Sequence, residues 1–534
     1  MKKRTAALAM VLLLALVPGA LAAELNDVGV YPITQETEVL TILMQQDVLV
    51  EDYDTNAFTL WIEESCGVDL QFELLPAGND GTDKLALMLS SGQELPDVIN
   101  MQMSVLQDYI YGTAGIFIDL TDYYEDYAYY FNQRAAQYPD IDFLGPITAA
   151  DGKIYSLPRY YNETIGLTSK RLWMNMEFLE ALDLKVPTTT EELYQVLKAF
   201  QERDPNGNGV NDEIPLLGSS SAELMGYLMN AFIYTNPSNN YYTLKDGVIG
   251  VSYTEDAFRE GLRYMNRLCE EGLLSPLTFS QSFDQYKQTV TGDGETATVG
   301  CFVSFSTSLS INNYATSPLT PQYKAIAPLS GPEGVRFTEY TPTIAQPQWH
   351  VTAYCENPEL AFRVGDFLMN EEAFLRARIG EPGVHWEYAE PGMPSFFEGR
   401  DAKFTFVSIW NETQNSMWRL NIPTISVDDL DLRYFDGDPT NATYTCAVSW
   451  PEYQACIPPE GEYAPALIFT PEEVDAISEI QSTLSTYVGE CIARFVTGDM
   501  DIENDWESFQ NELDAIGLDL FLETSQTAYD RMMG

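Results

Sequence analysis

Histidine is almost missing from this chain: two among 534 residues, His350 and His385. There is no H-E-x-x-H, no G-x-S-x-G and no G-x-x-x-x-G-K-[ST]. The sequence therefore offers no zinc-hydrolase pair, no nucleophile elbow and no phosphate-cradling loop. Each histidine reads as a packed or surface residue. Basic residues are scarce as well. The 28 Lys+Arg face 80 Asp+Glu, for a formal net charge of -52. That balance argues against nucleic acid, where affinity comes from cations on phosphates, and against an anionic membrane surface. It favours solubility and capture of cations. Cysteine is sparse and odd in number, seven with no C-x-x-C pair, so the fold is not a disulfide scaffold. Cys446 and Cys456, ten apart, could bridge; the other five read as small buried hydrophobes. No internal repeat, low-complexity tract or Pro/Ser-rich linker interrupts the chain.

Long apolar runs are also lacking, except at the start. Lys2, Lys3 and Arg4 precede an apolar stretch from Ala6 to Val17, broken by Pro18-Gly19, and Ala20-Leu21-Ala22 follows. This is the pattern of a secretory signal peptide over residues 1–22. A membrane anchor needs about 20 unbroken apolar residues, and this stretch is shorter. The expectation is an exported protein, extracellular or periplasmic. No Cys stands at the cleavage region, so a lipobox is missing.

What is present is enough for several cores. Hydrophobic residues make up 45% and aromatics 12%, and 534 residues exceed what one core organises. Short β-type runs alternate with amphipathic helices. Val39–Met44 and Leu70–Leu75 read as strands, with a helix around Ala57–Ser65 between them. Asp83–Ser91 reads as a helix stopped by Gly92, before a strand at Leu95–Ile99. This rhythm predicts an α/β fold with mixed, mainly parallel sheets and helices on both faces. Thr188 and Glu191 have capping-box spacing ahead of the stripe Leu193, Val196, Leu197 and Phe200. Thr470, Pro471 and Glu473 open a longer helix whose stripe runs from Val474 to Phe495 and which Gly498 ends. A last stripe carries Trp506, Phe509, Leu513 and Ile516 before Gly517.

Two local patterns carry chemistry. Residues 204–213 read Asp-Pro-Asn-Gly-Asn-Gly-Val-Asn-Asp-Glu. Asp204, Asn206 and Asn208 place oxygens at alternate positions. Gly209 permits a sharp turn, Val210 offers a carbonyl, and Asp212 and Glu213 add carboxylates. Such a loop wraps oxygens around Ca2+. Pro215 stands where an EF-hand has its bidentate Glu, and no exiting helix is evident, so the expected role is structural. The alternative is a polar Asn/Gly turn. The second pattern is aromatic. Tyr160 and Tyr161 follow Arg159, while Trp386 and Tyr388 flank Glu387. Rings beside polar groups suit sugars, whose C–H faces pack on them; the alternative is core filling.

These features occur in an order that resembles the extracellular solute-binding proteins of carbohydrate ABC importers (family 1), in the subfamily carrying a calcium loop. The resemblance rests on Ser91-Gly92-Gln93-Glu94-Leu95-Pro96-Asp97-Val98, Gly152–Pro158, and the run from Leu172 through Lys185-Val186-Pro187-Thr188-Thr189 to Asp204–Gly209 and Asp212–Pro215. It continues through Asn357-Pro358-Glu359 and Ala528-Tyr529-Asp530-Arg531. It implies a two-lobed, type II periplasmic-binding-protein-like fold with a multi-strand hinge. One lobe would hold 23–158 plus about 320–400. The other, with the calcium loop, would hold 159–319 plus about 401–534. It implies structural Ca2+ on Asp204, Asn206, Asn208, Val210, Asp212 and Glu213, and cleft aromatics near Tyr160 and Trp386. Gln45, Gln46 and Arg159 stand beside strand ends as polar contacts. It further implies a monomeric, non-enzymatic carrier of an oligosaccharide that docks on ABC permease subunits. Members from Gram-positive bacteria usually carry a lipidated Cys that this chain does not have. The competing reading is a secreted glycoside hydrolase or lyase with structural calcium; the sequence singles out no acid/base pair for it.

Overall fold

The computed structural model describes residues 24–407, 413–419, 421–438 and 441–533. The expected signal peptide, 1–22, lies outside the described residues. In chain order the strands are β1 (Glu38–Gln45), β2 (Val68–Leu75), β3 (Val98–Asn100), β4 (Leu157–Asn162), β5 (Arg171–Asn175), β6 (Ile214–Gly218) and β7 (Tyr242–Lys245). They continue with β8 (Val248–Val251), β9 (Val299–Ser304), β10 (Tyr323–Ile326), β11 (Gln346–Val351), β12 (Trp386–Tyr388), β13 (Phe404–Phe406) and β14 (Thr424–Val427).

Two large sheets organise the lobes. The first has the order β14-β4-β11-β3-β1-β2, the second β10-β5-β9-β6; β7-β8 and β12-β13 are separate hairpins. In the first sheet only β11 opposes the other five strands. In the second only β5 does. The α/β, two-lobed expectation holds. The large sheets are mixed: all strands but one in each run the same way, and because β11 and β5 sit inside their sheets, four ladders among the described residues are parallel and four antiparallel. The antiparallel ladders belong to β5, β10 and β11, which come from sequence the local rhythm does not order.

Strand alternation fills both faces of the first sheet. Leu40, Ile42 and Met44 of β1 enter one core with Trp349 and Trp418, while Leu43 enters another with Leu85, Met88 and Leu89. Side chains of successive strand residues must diverge in this way. The second lobe packs around Trp173, Phe200, Phe302 and the long helix Pro471–Thr497. That helix buries the expected Ile477, Leu484, Val488, Ile492 and Phe495, each worth about 1.5–3 kcal/mol of burial. Thr470 and Glu473 form its capping box and Gly498 its left-handed C-cap.

Three expectations shift. The helix expected after Thr188 is capped by Thr189 and spans Thr190–Glu202. Thr188 is used elsewhere: its carbonyl accepts the Ser330 N–H at 2.9 Å. The lobe boundaries also move. β10, expected in the first lobe, pairs with β5, and β14, expected in the second, pairs with β4. A strand's sheet is set by its partner, which its own sequence does not encode. Finally, Cys446 and Cys456 are both free thiols. The helix Ala442–Gln454 separates them, and ten residues at about 1.5 Å rise exceed any disulfide span.

The chain passes between sheets after β4, before β11 and after β14, and these crossings are tied side by side. The Asn162 side-chain amide donates to Asp428 at 3.0 Å and accepts from the Thr343 hydroxyl at 2.7 Å. The Thr164 N–H donates to Asp431 at 2.7 Å, and the Thr341 N–H to the Leu167 carbonyl at 3.0 Å. Three bonded crossings form the multi-strand connection expected of a hinge.

Candidate functional site

In open α/β sheets, sites collect where strands end. Here β4, β9 and β14 deliver their following residues to one cavity of about 640 Å³, within the range of small-molecule sites. Glu163 and Ile165 come from β4, Phe305 to Tyr314 from β9, and Leu430 to Asp436 from β14. Arg378, Phe396, Phe406 and the start of the helix Ala442–Gln454 complete the wall.

The wall alternates rings with charge. The Arg433 guanidinium carbon lies 4.6 Å from the Phe396 ring centre and 5.5 Å from that of Phe406, and the group hydrogen-bonds Thr443. Burial lowers its pKa, against the pull of Glu163 and Asp431. Asp431 is pushed up to about 8, first by burial and then by the Glu163 and Asp428 carboxylates. Near neutral pH it is largely protonated and can donate as well as accept, which suits hydroxyl groups.

The expected contacts fare differently. Tyr160 and Tyr161 are adjacent in β4 and cannot share a face. Tyr160 is 7% exposed and packs edge-on to Phe143 at 5.0 Å; its placement in a cleft is corrected to core. Trp386 is corrected likewise. It is 0% exposed, donates its indole N–H to the Gly380 carbonyl at 2.7 Å, and belongs to a cluster with Phe404 and Leu430. That cluster backs the cavity wall, so the ring supports the wall without forming it. Tyr388 meets Trp386 edge-on at 5.0 Å and is otherwise exposed. Tyr161 packs against the Trp386 cluster and donates its hydroxyl to the cavity-lining Glu163, and Arg159 lies over its ring at 5.3 Å; neither Tyr161 nor Arg159 lines the cavity itself. Gln45 donates its side-chain amide to the Gly78 carbonyl at 2.5 Å, and the Gln46 backbone N–H bonds Leu75. Neither glutamine lines the cavity. The wall residues Arg378, Phe406, Arg433 and Tyr434 went unread in the sequence. The one available signal was the ring-and-charge spacing of Phe404-Thr405-Phe406 and Arg433-Tyr434-Phe435.

The 204–213 loop joins the helix Thr190–Glu202 to β6, so a strand and not a helix leaves it. Gly207 and Gly209 take φ of +69° and +79°, a region that favours glycine. The Asp204 carboxylate accepts the Asn208 and Gly209 N–H groups at 3.2 and 3.0 Å. The Asn208 amide oxygen accepts the Val210 N–H at 2.6 Å, and its nitrogen donates to Asp212 at 3.2 Å. Asn206 anchors the turn to the Ala297 carbonyl at 3.1 Å. Both Glu213 carboxylate oxygens are buried with no hydrogen-bond donor. Burial and the nearby Asp204 and Asp212 push that carboxyl up. Asp204, Asp212 and Glu213, the Asn206 and Asn208 amide oxygens and the Val210 carbonyl are the kinds of donor a hard cation would take, although among the described residues no three acidic, His or Cys side chains are gathered closely enough to hold a metal ion. An undonated buried carboxylate is where such an ion fits best.

His350 is fully buried, with its ring nitrogens 2.8 Å from Asp108 and 3.1 Å from the Ile99 carbonyl. Ser156 bonds the other Asp108 oxygen at 2.7 Å. The carboxylate stands between serine and histidine, so the histidine is not placed to take the serine proton.

The sequence profile of bacterial extracellular solute-binding proteins matches residues 50–373. The chain belongs to this family. A curated relative is the fructooligosaccharide ABC transporter substrate-binding protein FusA of Streptococcus pneumoniae, 24% identical over 88% of this chain and 86% of FusA. Among solved structures, an HMO-binding, ABC-transporter-associated solute-binding protein of Bifidobacterium longum infantis superposes with TM-score 0.78. It is 20% identical and covers 92% of this chain and 99% of its own. An EF-hand mutant of S. pneumoniae FusA in complex with fructo-nystose superposes at 0.71, with 21% identity over 93% and 99%. The two-lobed solute-binding fold is thus common to all three. The family is one of binding proteins described as extracellular, and no helix among the described residues is long and apolar enough to cross a membrane.

Proposed function

We propose that this solute-binding protein takes an oligosaccharide into the cavity between its lobes and presents the closed form to an ABC permease. The observation that carries this reading is the wall at the ends of β4, β9 and β14, where aromatic faces alternate with hydroxyl, carboxyl and guanidinium groups. Rings pack on sugar C–H faces and the polar groups fix the hydroxyls. Contacts reach the ligand from both lobes, so they are complete only when the lobes are closed, and binding shifts the population that way. The saccharide-binding names of the relatives support the same reading. The 1–22 segment acts as an export signal, and the carrier works as a monomer.

Calcium is held by Asp204, Asn206, Asn208, Asp212, Glu213 and the Val210 carbonyl. It braces the turn between the helix Thr190–Glu202 and β6, away from the cavity. The donorless Glu213 carboxylate supports this assignment, as does the EF-hand named in a relative.

The test is incubation of pure protein with a glycan panel, followed by thermal shift and product chromatography. A saturable rise in melting temperature with glycans recovered intact is expected. New glycan products would favour the competing enzyme reading, and no shift with any glycan would overturn saccharide binding.

A further inference from the structure

In a chain with 28 basic and 80 acidic residues, arginines gather around Tyr161, whose hydroxyl bonds the cavity-lining Glu163; of Arg159, Arg378 and Arg419, Arg378 lines the cavity itself and the other two stand behind it. Tyr161 is the hub. Arg159, two residues earlier on the same face of β4, lies over its ring. Arg378 hydrogen-bonds its side chain and lines the cavity together with Glu163. Arg419 lies near enough to sense both Tyr161 and Arg378, and the carboxylate it pairs with, Asp47, stands 3.7 Å away.

Arg159 is the informative member. Its Nη1 donates to the Gln102 amide oxygen at 3.2 Å. Its Nε is buried with no partner, and no carboxylate lies within 4 Å of it among the described residues. A guanidinium does not shed its proton in a protein. Burial therefore leaves it charged, and the neighbouring Arg378 makes that charge more costly. Converging, partly desolvated like charges are stabilised by an anion, and guanidinium forks match oxyanions in geometry.

Resting on the saccharide reading above, we propose that the ligand is an acidic oligosaccharide, one of whose anionic groups is held at the Tyr161 edge by Arg159 and Arg378. The shared chemistry is an oxyanion on a sugar ring, a carboxylate or a sulfate ester.

Calorimetry compares tri-galacturonate, neutral galactotriose and a sulfated galactotriose, at low and high salt. The acidic sugars are expected to bind about 10–100-fold tighter than the neutral one, with the advantage shrinking as salt screens it. Arg159→Gln is expected to remove most of that advantage, and Arg159→Lys to restore part of it. A melting curve with calcium present confirms that each variant is folded. Preference for the sulfated over the uronate sugar keeps the anion site and assigns it to sulfate. Equal or tighter binding of galactotriose, or an Arg159→Gln variant with the full acidic preference, overturns the proposal while saccharide binding stands. Failure of all three sugars to bind, alongside a silent glycan panel, brings down both.

Discussion

The 204–213 loop and the cavity both concentrate charge, but they are built in opposite ways. The loop draws its donors from ten consecutive residues and gathers acid. No Lys or Arg ion-pairs with Asp204, Asp212 or Glu213 among the described residues. The group around Tyr161 beside the cavity brings Arg159 together with Arg378 and Arg419, which lie more than two hundred residues further along the chain, and gathers base in an acidic protein. One site is written in spacing and the other exists only after folding. They also divide the work. The loop's turn is shaped by backbone N–H groups donating to its own Asp204 and Asn208 side chains and lies in one lobe, whereas the cavity depends on how the crossings hold the lobes together.

The strongest way to break this comparison is to remove the metal. A ligand at 1,000 times its Kd contributes about 4 kcal/mol to the folded state. Chelation of calcium is therefore expected to lower the melting temperature by several degrees, and excess calcium to restore it. Asp204→Ala and Asp212→Ala should abolish the restoration. Saccharide affinity of the folded protein should change less than about twofold, because the loop does not line the cavity. An unchanged melting curve in chelator, with no metal found by elemental analysis, would reduce the loop to a polar turn. A large loss of affinity would place it in the binding machinery.

The same contrast explains what could be read in the sequence. The capping box at Thr470, the stripe of the helix it opens and the first two strands depend on residues close in sequence, and these appear where expected. The turn at 204–213, with Gly207 and Gly209 at positive φ, was legible for the same reason. Tyr160 and Trp386 were misplaced because ring-beside-polar patterns do not say which face is outward. In β4 one of two adjacent tyrosines had to enter the core. The pairing of β10 and β14 and the convergence on Tyr161 involve partners far along the chain, for which one sequence holds no periodic signal.

A smaller effect tests the cavity side. The unfolded pKa of Asp431 is near 3.8 and its folded value about 8. Between those values the native state keeps a proton that the unfolded chain has released. Stability from this group therefore falls as pH rises from about 4 to 8. Asp431→Asn removes the ionisation and can still accept the Thr164 N–H. Its stability relative to the parent should rise across that window by on the order of 1–3 kcal/mol, read from urea denaturation at pH 5 and pH 8 with calcium present. Parallel behaviour of the two proteins would show that Asp431 ionises normally.

The smallest expected effect isolates backbone from side chain in the loop. Val210 is 56% exposed, and its assigned contribution to the metal is a carbonyl, which alanine also possesses. Val210→Ala should change stability by less than about 0.5 kcal/mol and leave calcium affinity unaltered. Asn208→Ala is the sharper partner. It removes an oxygen from the donor set, the acceptor for the Val210 N–H at 2.6 Å, and the amide that reaches Asp212. It should weaken calcium at least tenfold, and the melting temperature should then respond only to higher calcium. If Val210→Ala lost calcium as severely as Asn208→Ala, the loop would depend on packing by the valine side chain, and the view that its alternating oxygens make the site would fail.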